Sequence, residues 1–104
     1  MRNDIQNVAY TKIQSGELAG IAASTQMPSI TCQLVCFKAA TSNTGNVYIG
    51  ASSSVTVEDG ATDTTTGIEL DAGDSTPWLP VDNLNRFAYI CSSTADNVTY
   101  LALG

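Results

Sequence analysis

Histidine is absent from all 104 residues. With it go the usual general base, the commonest metal ligand and the side chain that titrates near neutrality. Catalytic triads of the ordinary serine or cysteine kind are thereby excluded. Charge is scarce as well. Asp, Glu, Lys and Arg make up 13% of the chain, about half the usual share. Positive charge is scarcest, with Arg2, Lys12, Lys38 and Arg86 set against ten acidic residues and a net charge of −6. The balance is uneven along the chain. Up to residue 57, three basic residues face Asp4 and Glu17; beyond it, Arg86 alone faces Glu58, Asp59, Asp63, Glu69, Asp71, Asp74, Asp82 and Asp96. Such a surface repels phosphate backbones, so no nucleic-acid partner is expected. No apolar run approaches the ~20 residues of a membrane helix, so no membrane partner is expected either. Met1-Arg2-Asn3-Asp4 leads into no apolar stretch of signal-peptide type, and nothing marks the chain for secretion.

Cysteine is sparse and odd in number: Cys32, Cys36 and Cys91. In a strand over 30–39, Cys32 and Cys36 share one face about 13 Å apart at ~3.3 Å per residue. A disulfide needs Cα atoms within about 7 Å, so these two cannot bridge. Three small buried hydrophobes are expected, with a bridge from Cys91 to one of the others left open. A zinc site would need a fourth ligand and tighter spacing. No metal and no cofactor is expected.

What the chain does have is hydroxyls. Ser and Thr number 10 and 13, which gives a surface of uncharged polar groups of the kind found where a domain packs against other protein. The length suits one domain. Residues 1–25 read as an N-terminal arm, a short helix or a strand: Ile5, Val8 and Ile13 fit one helical face, Tyr10 falls off it, and Ser15-Gly16 interrupts. Residues 26–104 read as β. Residues 30–39 carry apolar residues on both faces, Val47 and Ile49 point inward from a short strand, and Val55–Val57 is another. A polar loop spans 58–67, followed by a strand at Ile68–Leu70 and a turn at 71–74. Pro77-Trp78-Leu79-Pro80 matches a PxxP ligand but lacks a flanking basic residue. An edge strand with the sole tryptophan packed on the core is expected. Strands at 86–92 and 98–103 complete the set. Short strands with turns every 8 to 12 residues indicate an all-β fold, an antiparallel β-sandwich or jelly-roll-like domain.

Chemistry finds little footing. Glu58, Asp59 and Asp63, with Asp71 and Asp74 nearby, lack the register of a calcium loop and read as solvated charge. Asn97-Val98-Thr99 is a glycosylation sequon by chance. Ser52-Ser53-Ser54 has no partner base, and no Walker, Rossmann or nucleophile-elbow pattern occurs. The chain reads as a non-enzyme.

Several segments in order carry a resemblance. They are Gln26-Met27-Pro28 with Cys32, Val35 and Lys38-Ala39; Asn46-Val47-Tyr48-Ile49-Gly50; Gly67-Ile68 with Leu70 and Ala72-Gly73; and Val98-Thr99-Tyr100-Leu101-Ala102. Together they resemble the small β-sandwich virion proteins of tailed bacteriophages, of the capsid decoration (cement) or head-fibre type. That resemblance implies a compact domain on the outer capsid surface, bound to the major capsid protein. It implies a homo-oligomer, a trimer first, assembled in the bacterial host cytoplasm, where thiols stay reduced. Asn46, Val47, Tyr48, Ile49, Gly50, Gly67 and Gly73 would be its structural motif residues. A glycan- or receptor-binding module of a tail, fibre or baseplate is the alternative. From the charge split, Arg2, Ile5, Tyr10 and Lys12 are candidate contacts with the shell or a neighbouring subunit.

Overall fold

Two four-stranded antiparallel sheets face each other in a computed structural model, which describes residues 10–21, 23–51 and 67–104. The strands are β1 (Ile13–Ala19), β2 (Thr25–Gln26), β3 (Leu34–Ala39), β4 (Val47–Ala51), β5 (Ile68–Leu70), β6 (Leu79–Pro80), β7 (Phe87–Cys91) and β8 (Asn97–Leu103). A 3-10 turn, Leu84–Arg86, precedes β7. The first sheet runs β1-β8-β3-β6 and the second β2-β7-β4-β5. Strands 1 and 8, 2 and 7, 3 and 6, and 4 and 5 are therefore neighbours. This is one long antiparallel ribbon rolled into a sandwich, the jelly-roll winding. The described residues contain no helix long and apolar enough to cross a membrane.

Alternation decides which face of each strand is buried. Val35, Phe37 and Ala39 of β3 stand beside Ala102, Tyr100 and Val98 of β8. They pack on Val47, Ile49, Leu70, Tyr89 and Cys91 of the second sheet, with Met27 and Leu84 closing the core. Phe37 and Phe87 meet edge to face across the sandwich, ring centroids 5.3 Å apart. Tyr48, Ala88 and Ile90 form a second, small buried cluster. They lie on the opposite face of the second sheet, where Tyr48 pairs with Ile90.

Side chains fasten the loops at that same scale. Asp96 is buried, and its carboxylate accepts from the backbone N–H groups of Thr44 and Gly45 at 2.9 and 2.8 Å. Asn83 caps the 3-10 turn, its Oδ1 accepting from the N–H groups of Ile30 and Asn85. Gly73 occupies the left-handed region (φ 86°) and donates its N–H to Ala39, a conformation that costs a residue with a Cβ.

Of residues 1–25, for which an arm, a short helix or a strand is expected, Ile13–Ala19 form β1, which pairs with β8 along its whole length, and Thr25 begins β2. Two expectations change. Cys32 and Cys36 do not share a face. The backbone bends at Gln33 before β3 begins, so Cys32 enters the core while Cys36 lies half-buried on the outside of the first sheet. Trp78 is not a core residue; it is 42% exposed, because Leu79 takes the inward position. The expected strand at 55–57, residues 58–66 of the expected polar loop 58–67 and the contacts Arg2 and Ile5 lie outside the described residues.

Candidate functional site

The outer face of the first sheet is ordered in rows by its register. Ile13, Leu103, Leu34 and Pro80 stand side by side on β1, β8, β3 and β6. This row is apolar across all four strands. Behind it lie Ser15, Leu101 and Cys36, and behind those Glu17, Thr99 and Lys38. Leu34 is buried within the row, whereas Ile13 at its end is 68% exposed. Trp78, two residues before Pro80, is 42% exposed. The face thus grades from an apolar end to a polar one, where a single acid and a single base stand at opposite sides of one row.

A shallow depression of about 220 Å³ interrupts this face, lined by Cys36, Lys38, Ser75, Thr99 and Leu101 among others. Burial pushes the Cys36 thiol above its ordinary value. Cys36 is therefore a neutral thiol near neutrality and a poor nucleophile. Cys32 and Cys91 are free and raised by burial as well, Cys32 with help from nearby Asp82 and Cys91 with help from Asp96. Cys32 and Cys91 are the small buried hydrophobes expected, whereas Cys36 is only half-buried.

A second cavity, about 370 Å³, opens between the sheets on the β5–β6 side. Ile49, Ile68, Leu79 and Phe87 line it, with Arg86 at the rim. The Arg86 guanidinium is engaged by Asp82, with Nε to Oδ1 at 3.0 Å. That contact holds the Asp82 carboxyl below its usual range. The cavity is apolar, with its one cation already paired.

The motif residues take structural posts. Asn46 and Tyr48 both donate to Glu69, at 2.7 and 2.9 Å, tying β4 to β5. Val47 and Ile49 point into the core, Gly50 follows them in β4, Gly67 leads into β5, and Gly73 makes the turn after β5. Of the candidate contacts, Lys12 is exposed, but its backbone exchanges both bonds with Gly104, at 2.9 and 2.8 Å. Tyr10 is half-buried ahead of β1. Among the described residues no three His, Cys, Asp or Glu side chains converge as a metal site. The apolar row itself escaped sequence reasoning. Its signal was present in Val98–Leu103, where apolar residues occupy both parities.

No protein-family model matches the chain, and neither a characterised protein nor a solved structure shows significant similarity to it.

Proposed function

We propose that the protein is a structural component of a tailed-bacteriophage virion, a decoration (cement) protein that binds the major capsid protein on the outer shell. The apolar row Ile13, Leu103, Leu34 and Pro80 carries this reading. A stabilising shell protein works through modest interfaces repeated by symmetry. Those interfaces want an apolar centre and a polar rim. Glu17, Thr99 and Lys38 supply such a rim at one end of the face. The acidic second half of the chain suits an outward position, away from packaged DNA. Jelly rolls serve in viral capsid and lectin domains alike, so the surface rather than the fold carries the assignment.

The exposed Trp78 favours one second reading, a glycan-binding module of a tail or fibre, with the indole stacking on sugar. Quantitative mass spectrometry of purified particles separates the two. A copy number that scales with the major shell protein is the outcome expected of decoration. A handful of copies transfers the protein to the tail or a vertex, and sugar-dependent quenching of tryptophan fluorescence would then support glycan binding. Absence from particles overturns both.

A further inference from the structure

Among the described residues, three of the four sheet edges are short. β2 and β6 contain two residues each and β5 three, and β6 ends on Pro80. β1 is the exception, with seven residues and no proline, lysine or bulge between Ile13 and Ala19. Its hydrogen-bonding phase follows from the reciprocal bonds between Lys12 and Gly104. Bonded and non-bonded pairs alternate in an antiparallel ladder. Gln14, Gly16 and Leu18 therefore bond to β8, while Ile13, Ser15 and Glu17 aim N–H and C=O away from it. Among the described residues those outward groups have no partner. Ala19 turns its N–H outward as well, but its carbonyl accepts from the Tyr89 hydroxyl at 2.8 Å. An edge of this length, unpaired among the described residues, is a template for another strand.

We propose that β1 pairs antiparallel with β1 of a second copy of this chain, about a two-fold axis at Gly16, joining two four-stranded sheets into one. The register selects this occupant. With Gly16 opposite the copy's Gly16, every residue of β1 finds a partner. Ser15 stands opposite the copy's Glu17, in the phase that exchanges both N–H···O bonds, and its hydroxyl is placed to donate to that carboxylate. Centring on Glu17 instead would set two carboxylates face to face and shorten the overlap. Ile13, the most exposed large apolar residue described, gains the copy's Ala19.

The residue at the axis fits the same arrangement. Tyr100 reaches from β8 across Gly16, so that a Cβ there would stand 2.7 Å from the phenol oxygen. That hydroxyl has no hydrogen-bond partner among the described residues. The two-fold brings it to the hydroxyl of the copy's Tyr100, one donating to the other. This pairing is independent of the virion reading, and its symmetry is two-fold where the resemblance implies a trimer.

The test is sedimentation equilibrium of the purified chain from micromolar to millimolar concentration, with amide exchange followed by NMR on the same samples. A reversible dimer is expected, in which the Ser15 and Glu17 amides are protected at high concentration and exchange freely on dilution. Ser15→Pro removes an N–H that points away from β8, so it should fold with an unchanged circular-dichroism spectrum and remain a monomer. A chain that stays monomeric throughout overturns the proposal, as does a trimer. A dimer in which both amides exchange as fast as in the monomer also overturns it. The exchange data on the unmodified chain decide the matter even if Ser15→Pro does not fold.

Discussion

Trp78 and Asp96 show how differently single residues announce themselves. A lone tryptophan in a low-charge chain reads as core, yet its neighbour Leu79 takes the inward position and leaves the indole 42% exposed. Trp78→Ala should therefore shift stability by less than about 1 kcal/mol, against the 3–5 kcal/mol typical of a buried tryptophan. Urea denaturation measures the difference, and a core-sized loss would contradict the outward position. Asp96 is the reverse case. Nothing in Thr94-Ala95-Asp96-Asn97 distinguishes it from a solvated turn residue, because its partners Thr44 and Gly45 lie some fifty positions away. Removing it leaves two part-buried N–H groups without their acceptor. Asp96→Ala should cost about 3 kcal/mol, since bonds to a charged acceptor contribute roughly 1.5–3 kcal/mol each and are not additive. Asp96→Asn keeps one acceptor oxygen and should lose less in the same assay.

At the scale of the strand, legibility followed how much each segment buries. The strands from β4 to β8 show alternation or β-branched and aromatic runs, and turn residues mark their ends. β1 shows neither. Ile-Gln-Ser-Gly-Glu-Leu-Ala has weak β propensity and, of its seven residues, only Leu18 is buried. Its extended form comes from the β8 ladder, formed with residues about eighty to ninety positions later, which no local pattern reports. The same is true of the face it completes. Ile13 becomes part of an apolar row only when the register brings Leu103, Leu34 and Pro80 alongside. Because Leu18 anchors this strand, Leu18→Ala should destabilise the domain by about 2–4 kcal/mol. Amide exchange should place the loss first at the β1–β8 ladder, and a uniform loosening would instead mean that β1 unfolds only with the whole domain.

For the whole molecule, the winding joins β1 to β8, so the first sheet closes only when both of these strands are in place. Non-local pairing of this kind also places two of the thiols, Cys32 and Cys91, in the interior and leaves Cys36 half-buried on the outer face. Burial raises Cys32, Cys36 and Cys91 above the ordinary thiol value of 9.0, and raises Tyr89 above 10.0, with Cys91 adding to the effect. The sign follows from proton counting. Below pH 9.0 folded and unfolded chains both keep these protons, so stability does not depend on them. Above it the unfolded chain releases protons that the fold retains, and stability falls as pH rises until the folded thiols ionise in turn. Asp82 acts oppositely at the acid end, its carboxyl lowered by Arg86, but the pair is exposed and salt-screened, so its contribution is small. The stability profile should therefore be flat from mildly acidic to neutral pH and decline on the alkaline side. Urea midpoints across that range measure it. Replacing Cys32 and Cys91 together by alanine should lower stability throughout yet flatten the alkaline decline. A decline of unchanged steepness would assign it to groups other than the buried thiols.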